Sequence, residues 1–88
     1  MISAKTVVSN ELGIHFLSAG AIVDTCNKFK AKIWLAKGAR KSNARSILGI
    51  VGLESPPGTQ LVIEADGEDE REALDALLQL FERKFGEK

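Results

Sequence analysis

An α+β fold, with helices covering one face of a small antiparallel sheet, is what this sequence predicts. Three observations lead there. Segments of period-two alternation and segments of 3.6-residue periodicity follow one another in the order β-α-β-β-α-β-α. Glycine and proline clusters punctuate them. The 88-residue length fits a single domain, 1–88, long enough to bury a two-layer core without covalent staples.

Ile2–Val8 has loose alternation and β-branched residues and reads as a strand, after which Asn10–Gly13 turn the chain. From Phe16 to about Lys28 the pattern is helical, with Ala19, Ile22, Val23 and Cys26 at i, i+3, i+4 and i+7. Cys26 therefore belongs to the buried stripe, where a thiol packs well and reacts poorly. Phe29, Ala31, Ile33 and Leu35 alternate with Lys28, Lys30, Lys32 and Trp34, the signature of a half-buried strand. Lys37-Gly38 supplies a turn and Ala39–Ser42 a short returning strand. The segment SILGIVGL at 46–53 is too short for its period to type it, but Ser46 in front is a good N-cap and predicts a short helix. Pro56-Pro57-Gly58 breaks the chain before the clearest strand, Thr59–Asp66. The last element is a helix with Leu74, Leu77, Leu78, Phe81 and Phe85 on one stripe, acids (Glu68, Asp69, Glu70, Glu72) at its start, Arg83 and Lys84 at its end, and Gly86 as its stop. The acidic cluster could suggest a metal site, but helix-start electrostatics accounts for it and no metal is expected.

Net charge is zero, yet unevenly spread. Residues 28–45 hold seven of the twelve basic side chains and no acid, whereas residues 54–88 hold ten of the twelve acids. Such a dipole fits steering toward an acidic partner or nucleic acid; it equally fits a solvated sheet edge guarded by lysines. Nucleic-acid binding is disfavoured because the chain has no tyrosine and one tryptophan, too few aromatic platforms for stacking bases. A single cysteine excludes an internal disulfide and fits a reducing compartment. The opening MISAKTVVSNELG lacks an apolar stretch of signal-peptide length, and no uncharged apolar run approaches the roughly 20 residues that span a bilayer. A soluble, cytoplasmic protein without membrane insertion is expected.

The only histidine, His15, follows a glycine turn and precedes the first helix. A lone histidine is more often a surface or capping residue than a reactive one. No second histidine, cysteine or paired carboxylates stand near it in sequence, which argues against a zinc site or a Ser-His-Asp triad. Its position offers something else. A helix start leaves N–H groups unpaired and a partial positive charge, which together bind phosphate. The same field favours a neutral, nucleophilic ring. An imidazole just before those donors can accept a phosphoryl group in a labile N–P bond.

Asn10, Gly13, Ile14 and His15 in NELGIH, SNARSILGIVGL at 42–53, PPGT at 56–59 and ADGEDE at 65–70 stand in the order and register of a known family. The chain resembles the bacterial phosphocarrier HPr family of the sugar phosphotransferase system over essentially its whole length. The resemblance implies an HPr-like open-faced β-sandwich, four antiparallel strands covered on one face by three helices. It implies a phosphoryl carrier rather than a stand-alone enzyme, with no cofactor. Enzyme I would phosphorylate His15 on Nδ1, the backbone N–H groups of Phe16, Leu17 and Ser18 would hold the phosphoryl group, and an enzyme II A domain would receive it. Ser46 matches the family's regulatory position, the target in some bacteria of an HPr kinase/phosphorylase. Ile47 and Leu48 match the apolar contacts that family partners grip, and Gly20 and Ala21 line the same side of the first helix.

The match departs from the family next to the histidine. The family pattern is H-[AT]-R-P-A; here it reads His15-Phe16-Leu17-Ser18-Ala19. Leucine at 17 cannot fork onto a phosphoryl group as arginine does. Serine at 18 restores a backbone N–H that proline lacks and adds a hydroxyl. Asp24 adds a negative charge further along the helix. A working carrier tuned to unusual partners is therefore the first expectation, and an HPr-like regulatory module with little or no phosphotransfer, controlled through Ser46, is the second.

Overall fold

Alternating segments become strands and 3.6-period segments become helices in the computed structural model, which describes all 88 residues. The elements are β1 (Ile2–Val7), α1 (Phe16–Cys26), β2 (Lys32–Lys37), β3 (Arg40–Asn43), α2 (Ile47–Gly52), β4 (Gln60–Asp66) and α3 (Glu70–Glu82). The strands form one antiparallel sheet in the order β1-β4-β2-β3. Its register sets Ile63 opposite both Ala4 and Leu35, so Leu61, Ile63, Ala65, Ile33 and Leu35 share the helix-facing side. Trp34 faces Glu64 on the open side, where Lys41 pairs with Glu64 at 2.7 Å and lies 5.5 Å from the Trp34 ring centre.

The helices close the core from one side. α1 buries Ser18, Ala19, Ile22 and Cys26, and α3 buries Ala73, Leu74, Leu77, Leu80 and Phe81. α3 lies across β1 and β4, and α1 packs against both other helices. Burying one leucine, isoleucine or phenylalanine stabilises by about 1.5–3 kcal/mol. The apolar stripes thus hold the helices to the sheet. Cys26 is fully buried, and burial pushes its thiol up to about 11, which leaves it protonated and inert at neutral pH.

The main departures from the sequence expectation lie between α1 and β2, where side chains capture backbone groups, and at the end of α3, where the backbone turns left-handed. α1 ends at Cys26 rather than near Lys28, and β2 begins at Lys32, leaving Phe29 and Ala31 in the connection. There the Arg45 guanidinium donates to the carbonyls of Cys26, Phe29 and Ala31 at 2.7, 2.7 and 3.0 Å. The Asp69 carboxylate accepts from the N–H groups of Lys30 and Ala31, both at 2.8 Å. Held on both sides, Phe29 and Ala31 pack on the core without joining the sheet. Asp69 stands at the N-cap of α3 but spends its carboxylate on this cross-link and makes no side-chain cap.

At the other end α3 stops at Glu82, before Arg83 and Lys84. Lys84, Phe85 and Gly86 then take positive φ of 55°, 57° and 78°. Phe85 therefore reaches Phe81, ring centres 4.9 Å apart, from a left-handed turn and not from the helical stripe. This turn sends residues 87–88 back toward residues 10–15, where the Lys88 carbonyl accepts from the Glu11 N–H at 2.6 Å.

The basic run proves largely architectural. Besides Arg45 and Lys41, the Lys37 ammonium donates to the Leu53 carbonyl at 3.0 Å and Arg40 to that of Gly52 at 2.7 Å. Both satisfy carbonyls left open at the C-terminus of α2, where a positive charge is favoured.

Asp69 makes a pH prediction possible. Its carboxyl is held below the usual carboxylate range, chiefly by the Lys30 N–H and then by that of Ala31. A group depressed on folding contributes stability above its unfolded value of about 3.9, and the contribution disappears as pH falls through the folded value. Asp69→Ala is expected to melt below the wild type at neutral pH, with the gap narrowing below about pH 4. Thermal melts of both proteins across that range check this, and a gap independent of pH contradicts it.

Candidate functional site

His15 owes its position to a turn that only glycine can make. Gly13 has φ +68°, and a Cβ there would stand 2.7 Å from the Ser55 carbonyl oxygen and 2.9 Å from Pro56 Cα. Asn10 closes the turn through its side chain, donating from Nδ2 to the Gly13 carbonyl at 2.7 Å. The Ile14 N–H donates to the Ser55 carbonyl at 2.9 Å and ties the turn to the loop after α2. His15 thereby enters α1 as its N-cap, with extended φ/ψ of −133° and −172°.

Histidine is an unusual cap, and its bonding is reciprocal. The ring Nδ1 accepts from the Leu17 N–H at 3.2 Å, while the His15 N–H donates to Ser18 Oγ at 2.9 Å. The Phe16 N–H has no intramolecular acceptor, whereas the Ser18 N–H turns to the His15 ring as part of the capping box. Three backbone donors thus stand at the positive end of α1, those of Leu17 and Ser18 turned to the ring. The Ser18 hydroxyl is not a fourth. It is buried and also donates to the His15 carbonyl at 3.2 Å, so its share in the site is to hold His15 and not to reach outward.

The ring's other nitrogen has a partner that no local pattern announced. His15 Nε2 lies 2.7 Å from Glu87 Oε2, and Glu87 Oε1 accepts from Asn10 Nδ2 at 2.8 Å. Glu87 lies 72 residues away in sequence and arrives through the left-handed turn at 84–86. The one hint in the sequence is Gly86, which reads as an ordinary helix stop. Two opposing fields therefore act on the ring, the positive end of α1 and the Glu87 carboxylate.

Around His15 the surface is apolar. Phe16 and Leu17 on α1 and Ile47 and Leu48 on the adjoining α2 are all exposed, Leu17 at 80% and Leu48 at 75%. Gly20 and Ala21 lie half-buried one turn along α1, and nothing stands within 4 Å of where a Gly20 Cβ would be. Asp24 is exposed one turn further. Ser46 caps α2, its Oγ accepting from the Gly49 N–H at 3.0 Å. No concave pocket forms anywhere on the surface, and no three His, Cys, Asp or Glu side chains converge.

The profile of the family described as PTS HPr component phosphorylation site matches residues 2–83. The chain is 38% identical over 87 residues to the phosphocarrier protein HPr of Xylella fastidiosa (strain 9a5c), covering 99% of this chain and 98% of that one. It is 36% identical over 77 residues to the HPr-like protein Crh of Bacillus subtilis (strain 168), covering 88% and 91%. Among solved structures, HPr-C-His from Thermoanaerobacter tengcongensis superposes with a TM-score of 0.95 at 40% identity, covering 100% of this chain and 99% of that one.

Proposed function

The chain belongs to the HPr phosphocarrier family of the phosphotransferase system, and from that premise we propose that it carries a phosphoryl group on His15 Nδ1 between enzyme I and an enzyme II A domain. One observation supports this above the rest. Nδ1 is the ring atom that meets the start of α1, where it accepts from the Leu17 N–H and the Phe16 N–H is left without an acceptor.

The chemistry follows from that placement. The Nδ1 lone pair attacks phosphorus in line, the new N–P bond forms, and the donor's bond to phosphorus breaks with its electron pair staying on the donor. The Leu17 N–H shifts from Nδ1 to a phosphoryl oxygen, and the N–H groups of Phe16 and Ser18 donate to the other phosphoryl oxygens. All three donors belong to the first turn of α1, so the helix backbone needs little reorganisation. Phe16, Leu17, Gly20, Ala21, Ile47 and Leu48 form the docking face, more apolar at 16 and 17 than the family pattern. With phosphoenolpyruvate and enzyme I the protein is expected to gain one acid-labile, base-stable phosphoryl group, read as a single mass increment lost on acid treatment. An acid-stable group, or none, contradicts the carrier role.

Regulation through Ser46 is a second element of the proposal, favoured by the serine's place at the cap of α2 directly before Ile47 and Leu48. A phosphoserine there adds about −1.5 to −2 charge beside the docking face. Ser46→Asp tests this with little harm to the fold, because aspartate is itself a good N-cap. Enzyme I affinity, by titration calorimetry, is expected to fall while the melting temperature stays close to the wild type's. Unchanged affinity, or affinity and melting temperature falling together, makes Ser46 a structural cap only.

A further inference from the structure

From the bonding of the imidazole we infer that Glu87 is a positioning residue for phosphotransfer, fixing His15 in the tautomer whose Nδ1 can attack; this rests on the carrier role proposed above. A neutral imidazole bears one N–H and one lone pair. The Leu17 N–H points at Nδ1, so the lone pair belongs there. Glu87 Oε2, an acceptor only, lies 2.7 Å from Nε2, so the proton belongs there. Both contacts select the same tautomer. The other would set two donors against each other at Nδ1 and a lone pair against a carboxylate at Nε2, and its Nδ1 could not attack.

The carboxylate is itself held. Its second oxygen accepts from Asn10 Nδ2, and Asn10 is fully buried and also bonds the Gly13 carbonyl of the turn that presents His15. The Lys88 carbonyl on the Glu11 N–H pins the segment from its far side. A buried side chain of the histidine's own turn therefore orients the group that orients the histidine, as outer partners do around other reactive histidines.

In the transfer step, Nδ1 gives its lone pair to phosphorus and the ring becomes a phosphorylated imidazolium. The proton stays on Nε2 throughout, facing the Glu87 carboxylate, which stabilises the positive charge. When phosphorus moves on, the N–P pair returns to Nδ1. No proton has to enter or leave.

The test uses the full chain with Glu87→Ala and Glu87→Gln. Glutamine has one acceptor for two donors, Nε2–H and Asn10 Nδ2, so both variants are expected to fail. Long-range 1H–15N NMR of the unphosphorylated protein at alkaline pH is expected to show a single Nε2–H tautomer in the wild type and a mixture in both variants. The saturating rate of phosphorylation by enzyme I is expected to fall about tenfold at unchanged half-saturation, the size of effect that loss of a charge-assisted hydrogen bond has at its lower end. A mixed tautomer in the wild type, or an unaltered ring spectrum in folded variants, overturns the inference. Absence of phosphorylation in the wild type overturns the carrier role instead, and the ring spectrum still decides the contact.

Discussion

His15→Ala is expected to leave a folded protein that takes up no phosphoryl group. The two consequences have separate origins. Structurally, the substitution removes a helix cap: Nδ1 no longer accepts the Leu17 N–H, and Glu87 loses one partner. Losing an N-cap costs about 0.5–2 kcal/mol, and each kcal/mol lowers the melting temperature of a domain this size by about 4–8 °C. The core residues of α1 (Ser18, Ala19, Ile22 and Cys26) are untouched, so the helix stays docked. Chemically, the loss is complete, because this is the only imidazole in the chain. Calorimetric melting together with phosphoryl incorporation from enzyme I separates the two effects. An alanine variant that still acquires acid-labile phosphate contradicts the assignment of His15.

Leu17→Arg is expected to accelerate transfer from an enzyme I of a conventional system by roughly one to two decades. Leu17 contributes its backbone N–H to the site, and arginine keeps that N–H. The leucine side chain is 80% exposed, so nothing in the fold resists the exchange. A guanidinium at this point can fork onto the phosphoryl group and onto partner carboxylates, which leucine cannot. Nor is there a hydroxyl to stand in for it, since Ser18 Oγ is already bonded to the His15 N–H and carbonyl. Initial rates at matched concentration decide the matter. If the arginine variant is no faster, the partner makes its contact at 17 by apolar packing alone.

Much of the fold was legible because its signals are local. Alternation placed β1 and β4, the i, i+3, i+4, i+7 stripe placed α1, and Ser46 marked the start of α2 although that helix has only six residues. The errors lie where long-range polar bonds override local pattern. Phe29 and Ala31 alternate as a strand should, yet Arg45 and Asp69 capture the backbone they would have offered to the sheet. The acids at the start of α3 look like dipole complements, and one of them, Asp69, is a cross-link instead. At the site, His15 and its glycine turn were visible because the donors of a helix start belong to adjacent residues. Glu87 was not, because its approach depends on two non-glycine residues, Lys84 and Phe85, turning left-handed after α3. Sequence spacing contains no signal for such a reversal.

The most direct test of the account is 15N NMR of the phosphorylated protein, labelled in the His15 ring. One-bond coupling to phosphorus is expected at Nδ1, with Nε2 still bearing its proton. Coupling at Nε2, or an unmodified ring in a protein that has taken up phosphate, contradicts it.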